Sequence, residues 1–193
     1  ANNNRNYCAT HLTNVNHDEL YEVTYPHKEE GNGIGSTSPT ALSPWTSPWR
    51  VIILGELKNI VESTLVEDVS DPCLLSETDW IQPGSASWIY WAYNHGTKDY
   101  KTCCEYVDLA ATMHWKYVLF DWEWDQMQNG GTLSDAARYA TSKGIKPLIW
   151  YNSGGKHNRV LSTPRDRLIT TENRNREFKK LKEMGFSGIK VDF

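Results

Sequence analysis

From residue 86 onward, apolar segments of strand length alternate with segments of helical pattern. Runs rich in Val, Ile and aromatic residues predict four strands, over 86–94, 116–124, 145–155 and 188–193. The segments between them predict three helices, over 98–115, 132–144 and 171–185. These units repeat about every 30 residues, the length of a strand–helix–strand unit, which indicates a parallel sheet.

Capping residues support the ends of the last two predicted helices. Thr132 followed by Asp135 is a capping pattern, and Gly144 stands where a helix C-terminus favours glycine. Thr171 and Gly185 provide the same start and stop signals for the next helix. We therefore expect Thr132 and Thr171 to be the N-caps.

Two α/β architectures fit this alternation, a (β/α)8 barrel and a doubly wound open sheet. The open sheet usually has a glycine-rich phosphate turn after its first strand, and YNHGT (93–97) is not one. This favours the barrel. A complete barrel needs eight units and about 250 residues. The sequence therefore predicts the first half of a (β/α)8 barrel over residues 80–193.

Residues 1–79 have a different pattern and are assigned to the end of a β-rich N-terminal domain and its linker. The segment 31–48 is rich in Gly, Ser, Thr and Pro, which is typical of irregular loop. SPWRVIILGE (47–56) predicts a strand. The period of NIVESTLVEDV (59–69) fits a helix or a strand, and both remain open.

Composition narrows the classes of partner. A net charge of −4 without a basic run argues against nucleic acid and against anionic membranes. No apolar stretch reaches the roughly 20 residues that span a bilayer. The four cysteines lack Cys-x-x-Cys spacing, which argues against a zinc or redox site. Nine Trp and ten Tyr provide flat faces that stack on sugars or simply fill a core.

Polar and aromatic residues stand at the ends of all four predicted strands, where barrels carry their chemistry. They are Trp91, Tyr93, Asn94, Asp121, Trp122, Glu123, Trp124, Asp125, Trp150, Tyr151, Asn152, Ser153, Lys190, Asp192 and Phe193. At any one strand, such residues are ordinarily solvated loop residues. Four ends with the same character predict a site.

Lys190 and Asp192 alternate on the last strand, so their side chains point to the same face. A neighbouring lysine lowers the pKa of a carboxylate and keeps it ionised. An ionised carboxylate in a Trp-lined cleft can attack or stabilise an oxocarbenium-like carbon. A structural ion pair is the open alternative.

Five segments together resemble glycoside hydrolase family 97: TSPWRVIILG, DWIQPGSASWIYWAYN, YVLFDWEW, IKPLIWYNSGGKHN and GFSGIKVDF. The resemblance runs from about residue 47 to residue 193. It implies an N-terminal β-sandwich, a central (β/α)8 barrel and a C-terminal β domain. It also implies a bacterial, periplasmic or secreted enzyme that removes α-linked glucose or galactose from the non-reducing end of an oligosaccharide. Calcium is implied as well, with ligands that cannot be assigned in this chain.

The resemblance assigns roles to residues of this sequence. Asp192, which ends the fourth strand, matches the nucleophile of the retaining members. Asp121 and Lys190 match residues that bind sugar hydroxyls. The remaining substrate-binding candidates are Trp91, Trp124, Trp150 and Asn152. Core packing is an equal alternative for each tryptophan.

The presence of Asp192 also indicates which of the two subgroups of the family this chain resembles. Inverting members, chiefly α-glucosidases, lack this aspartate and use glutamates as base. A base glutamate is expected just past the third strand, and WYNSGGKHN has none. The resemblance therefore implies a retaining enzyme, an α-galactosidase.

The second carboxylic acid that retention requires comes from a later strand of the family's barrel. Glu123 is the only substitute within this chain. The chain starts at Ala1 without Met, so we expect a piece of a longer polypeptide, inactive without the remainder. Three alternatives stay open: an inverting α-glucosidase, a non-catalytic carbohydrate-binding protein and an unrelated metal-dependent barrel enzyme. The conceivable metal ligands of the last are His114, His157 and Asp125, which lie on unrelated segments and are more often surface residues.

Overall fold

A computed structural model describes part of the N-terminal region and all of the chain from residue 51. The described residues are 11–14, 20–24, 30–34, 40–46, 49 and 51–193. They fall into two compact units. One includes Thr40–Gln82, and the other includes Pro83–Phe193 together with the described residues of Asn4–Pro39.

The unit that includes Thr40–Gln82 has two short helices, α1 (Leu57–Val61) and α2 (Leu65–Asp68). The ambiguous segment 59–69 is thus helical where it is regular. The strand predicted over 47–56 is wrong for 51–56, which form no strand, and residues 47, 48 and 50 lie outside the described residues. Two of its apolar side chains, Ile52 and Leu54, are exposed, and no described strand pairs with the segment.

The larger unit contains an antiparallel pair and a parallel sheet. The pair is β1 (His11–Asn14) with β2 (Tyr21–Thr24). The sheet consists of β3 (Ala86–Trp88), β4 (Tyr117–Phe120), β5 (Lys146–Asn152) and β6 (Gly188–Asp192). Its strands are neighbours in chain order and all parallel. The predicted fold is confirmed: three successive βα units followed by a fourth parallel strand have the arrangement expected in the first half of a (β/α)8 barrel.

Three helices pack on one face of this sheet. They are α3 (Tyr100–Thr112), α4 (Leu133–Ser142) and α5 (Thr171–Glu183). Ser87 of β3 donates to the Tyr106 carbonyl of α3, and the Tyr151 hydroxyl of β5 donates to Glu177 of α5. Buried apolar side chains of β4, β5, α3 and α4 form one core on the same side. Helices on a single face fit a barrel wall and exclude the doubly wound alternative.

The helix ends follow the predicted capping chemistry with one correction. Thr132 and Asp135 form a reciprocal capping box at α4. At α5 the N-cap is Thr170 and not Thr171, because Thr170 has the extended backbone and its hydroxyl accepts from Asn173 N. Gly185, in the left-handed region at φ 89°, follows that helix.

The first strand of the sheet is much shorter than the predicted 86–94. It ends at Trp88, and residues Ile89–Trp91 form a 3-10 turn. The Ile89 carbonyl accepts from both Ala92 N and Tyr93 N, so the local turn takes the hydrogen bonds that a longer strand would make. The aromatic residues after Trp88 therefore lie outside the sheet.

Candidate active site

The face of the sheet opposite the helices carries the predicted carboxylates. Because side chains alternate along a strand, Lys190 and Asp192 share this face of β6. Asp121 follows β4 directly and is buried. The register places Trp150 of β5 beside Lys190. These residues lie at the C-terminal ends of the strands, the end at which barrel enzymes have their active sites.

Lys190 connects the two aspartates. Its Nζ lies 3.2 Å from Oδ2 of Asp192 and 3.5 Å from Oδ2 of Asp121. The same ammonium stands 4.6 Å from the centre of the Trp88 ring, within the range of a cation–π contact. The structure therefore brings Asp121, Lys190 and Asp192 together, with one cation shared by two carboxylates.

Each aspartate also accepts a hydrogen bond from an indole on the preceding strand. Trp88 Nε1 donates to Asp121 Oδ2 at 2.6 Å, and Trp150 Nε1 donates to Asp192 Oδ2 at 3.2 Å. Trp88 is not among the site residues that the sequence predicts. Its position in the sequence could have indicated it, because Trp88 is the last residue of β3 and the alternation of side chains places it on the same face as the aspartates.

The environment of Asp192 favours its ionised form. Partial burial raises the pKa of this carboxyl, but the Trp150 hydrogen bond and the Lys190 ammonium lower it by more, so the pKa lies below its ordinary value. Asp192 also keeps access to solvent, with 43% of its side chain exposed. An exposed, ionised carboxylate can act as a nucleophile or stabilise a cationic carbon.

The three predicted stacking tryptophans occupy different environments. Trp124 is buried in the core, donates to the Trp150 carbonyl and packs under the Arg167 guanidinium. Trp150 is only 2% exposed. Trp91 is 79% exposed and meets Trp88 edge-on, with ring centres 5.3 Å apart. Of the three, Trp91 alone presents a face on which a sugar can stack.

Asn152 is fully buried and organises the loop after β5. Its Nδ2 donates to the carbonyls of Val160 and Ser162, while its Oδ1 accepts from Gly155 N and Asn158 Nδ2. Both ends of the amide are thus engaged by the loop. Contact with a sugar would require those hydrogen bonds to be replaced.

Glu123 belongs to a charged cluster that was not predicted from the sequence. Its carboxylate contacts Lys98 at 2.8 Å and the Nδ1 of His95, and the His95 ring stacks on Trp122. Burial raises the pKa of Glu123, but His95 and Lys98 lower it by more, so the group is ionised at neutral pH. A general acid must carry a proton, which argues against Glu123 as the acid of a retaining enzyme.

Replacing Glu123 by glutamine is expected to lower the free energy of unfolding by about 1 kcal/mol at neutral pH. The folded pKa lies below the unfolded one, so the stabilisation is present above about pH 4.3 and disappears as pH falls through the folded pKa. Urea unfolding midpoints of Glu123→Gln and wild type should differ at about pH 7 and converge as the pH falls through the folded pKa of Glu123. Glu105→Gln, at an exposed position of α3, is the matched control. A gap that persists at low pH contradicts the ionic origin.

The structure does not assign the calcium that the resemblance implies. Within the described residues, no three His, Cys, Asp or Glu side chains are grouped to hold a metal ion. His114, His157 and Asp125 are accordingly not gathered into a site. None of the helices in the described part of the chain is long and apolar enough to cross a membrane.

A parallel βα sheet with carboxylates, a lysine and indoles at its strand ends is typical of barrel enzymes that act on sugars. The comparisons with known proteins name the family. Residues 1–72 match the model of the glycosyl-hydrolase 97 N-terminal domain, and this match includes the first 46 residues, which lie outside the resemblance seen in the sequence. The chain belongs to glycoside hydrolase family 97.

Two curated relatives match most of the chain. A "probable retaining alpha-galactosidase" of Streptomyces bingchenggensis is 30% identical over 169 residues, which are 81% of this chain and 24% of that protein. A retaining alpha-galactosidase of Bacteroides thetaiotaomicron is 29% identical over 166 residues, 78% of this chain and 23% of that protein. The chain thus spans about a quarter of the length of these relatives.

Solved structures with the same fold include two kinds of enzyme. A beta-arabinopyranosidase superposes with a TM-score of 0.83 at 35% identity, over 97% of this chain and 30% of that one. A family 97 enzyme of Pseudoalteromonas sp. strain K8, in complex with panose, superposes with a TM-score of 0.51 at 16% identity, over 70% of this chain and 23% of that one. The second likeness concerns the fold alone.

Proposed function

We propose that the full-length protein is a retaining, exo-acting α-glycoside hydrolase, specifically an α-galactosidase, with Asp192 as its nucleophile. The observation that supports this most directly is the environment of Asp192. This carboxylate ends the fourth strand, keeps solvent access and is held ionised by Lys190 and by the Trp150 N–H. The names of the curated relatives point to the same activity.

In the proposed reaction, Asp192 attacks the anomeric carbon while a carboxylic acid elsewhere in the full-length protein protonates the leaving oxygen. Trp150 and Lys190 hold Oδ2, so we assign the attack to Oδ1. The bond to the leaving oxygen breaks as the glycosyl ester forms. Water, deprotonated by the same acid group, then cleaves the ester with a second inversion, so that the released sugar keeps its α configuration.

The neighbouring residues would bind the sugar. Asp121 and Lys190 lie beside the nucleophile. The Asp121 carboxylate can accept hydrogen bonds from ring hydroxyls, and the Lys190 ammonium can donate to them. The exposed face of Trp91 supports stacking against the apolar face of a pyranose. Asn152 then acts on the substrate indirectly, by shaping the loop after β5.

A second candidate activity is β-arabinopyranosidase. The specific observation in its favour is the beta-arabinopyranosidase structure that superposes on 97% of this chain at 35% identity. A β-L-arabinopyranoside has the ring stereochemistry of an α-D-galactopyranoside and lacks only the hydroxymethyl group on the ring. The same nucleophile and hydroxyl-binding residues therefore serve both substrates.

One assay of the full-length protein tests both activities. Nitrophenyl α-galactoside, α-glucoside and β-L-arabinopyranoside are supplied separately, and proton NMR identifies the first anomer released. We expect the α-galactoside to have the highest kcat/KM and to release α-galactose. Preference for the arabinopyranoside would select the second candidate. Release of β-galactose or a preference for glucoside would contradict the proposal, since both indicate the inverting subgroup.

Calcium binding and a periplasmic or secreted location are further proposals. Both rest on the family resemblance and not on residues of this chain. An α-linked oligosaccharide is the proposed substrate class, and panose bound to the Pseudoalteromonas enzyme is an example in the same family. The remainder of the polypeptide is the proposed source of the acid.

A further inference from the structure

We propose that Trp150 is a positioning residue, whose indole N–H fixes one oxygen of Asp192 and thereby aims the other at the anomeric carbon. This inference rests on the proposed function, because it takes Asp192 as the nucleophile. It replaces the stacking role that the sequence suggested for Trp150. The distinction is chemical: a stacking residue acts through its ring face, whereas the positioning role acts through Nε1.

Burial rules out the stacking role. Trp150 is 2% exposed, so neither face of its indole is available to a sugar. The Phe193 ring lies edge-on to it, with centres 6.2 Å apart. Nε1 is the polar end of this buried ring, and its hydrogen bond goes to Asp192 Oδ2. Buried indole N–H groups usually have such a partner.

The backbone holds both members of the pair in register. Trp150 on β5 pairs with Lys190 on β6, two residues before Asp192. Trp124 Nε1 donates to the Trp150 carbonyl at 2.7 Å and anchors the donor residue. Ser153 N donates to the Asp192 carbonyl at 2.9 Å and anchors the acceptor residue. The Nε1–Oδ2 contact is therefore set by two neighbouring strands and not by a mobile side chain.

The first two strands of the sheet have the same arrangement as the last two, and this provides a matched control. Trp88 of β3 donates to Asp121 after β4, as Trp150 of β5 donates to Asp192 at the end of β6. Lys190 lies between the two aspartates. One indole therefore serves the proposed nucleophile and the other serves the proposed hydroxyl-binding carboxylate. Removing each N–H should have a different kinetic effect.

The first test compares Trp150→Phe and Trp88→Phe in the full-length enzyme. Trp150→Phe should lower kcat/KM about 10- to 100-fold, the range expected for a hydrogen bond to a charged group. It should also move the acidic limb of the pH profile to higher pH, because the lost bond favoured the ionised form of Asp192. The other charged groups on this face, Lys190 and Asp121, are unchanged. Trp88→Phe should raise KM and leave the acidic limb in place.

A second test places Trp150→Phe in an Asp192→Ala background and measures turnover rescued by azide. If Trp150 acts only through the carboxylate, the rescued rate should change less than about twofold, since no carboxylate remains to be aimed. A loss as large as in the wild-type background would show direct action on the sugar and overturn the inference. Failure of Asp192→Ala to form any azide adduct would instead refute the proposed nucleophile.

A third variant separates the loss of the N–H group from any misfolding caused by Trp150→Phe. Benzothienylalanine at position 150 keeps the fused bicycle and replaces only the N–H group by sulfur. It should reproduce both the loss in kcat/KM and the shift of the acidic limb. Wild-type values for both quantities, in an enzyme that folds with the thio analogue, would show that the N–H has no positioning role.

Discussion

Asp192→Ala is expected to lower kcat/KM of the full-length enzyme by about 10⁴-fold or more, because removal of one member of a catalytic unit disables the unit. The exposed carboxylate projects from the end of β6 and carries little of the core. The variant should therefore fold and still bind galactose. Steady-state kinetics with an activated aryl α-galactoside measures the loss. Asp71→Ala, at an exposed position of the other unit, is the control.

Azide should restore turnover to Asp192→Ala, because a small anion fits the space that the carboxylate leaves. It attacks from the face opposite the leaving group, so the product should be the β-galactosyl azide, whereas wild type releases α-galactose. Proton NMR distinguishes the two anomers. Rescue with the α-azide, or retention of normal activity by Asp192→Ala, is incompatible with a nucleophilic role.

Lys190→Met is expected to have the next largest effect, about 100-fold on kcat/KM at neutral pH, with the acidic limb of the pH profile moved to higher pH. Lys190 is the cation between Asp121 and Asp192 and contributes to the lowered pKa of Asp192. Without it, the negative charge of the nearby Asp121 carboxylate disfavours ionisation of Asp192. The acidic limb reports ionisation of the nucleophile, so it must move upward.

Lys146→Met provides the control for this variant. Lys146 begins β5 and is exposed, at the opposite end of the strand from the catalytic residues. The same substitution there should leave the pH profile and kcat/KM unchanged. If Lys190→Met lowers the unfolding midpoint but leaves the acidic limb in place, Lys190 is a structural ion-pair partner, the alternative that the sequence left open.

Local patterns were sufficient for most of the fold. The βα repeat, the capping box of Thr132 and the fold class are all confirmed. The errors lie where a hydrogen-bonding partner decides the outcome. An apolar run such as 51–56 forms a strand only where another strand lies beside it. The segment after Trp88 forms a turn because Ala92 N and Tyr93 N donate to the nearby Ile89 carbonyl. The roles of Asp121, Lys190 and Asp192 in catalysis stay predictions.

Alternation along one strand was enough to place Lys190 and Asp192 on one face, because the period of two is a property of any extended chain. The contacts that distinguish the tryptophans depend on which strand lies beside which, and in what register. Trp124, Trp150 and Trp91 look alike in the sequence, yet one is core, one donates to Asp192 and one is exposed. Pairing of β5 with β6 brings Trp150 to Asp192 across 42 residues of chain. Tertiary structure alone makes that contact, because hydrogen-bond geometry depends on distances in space and not on sequence separation.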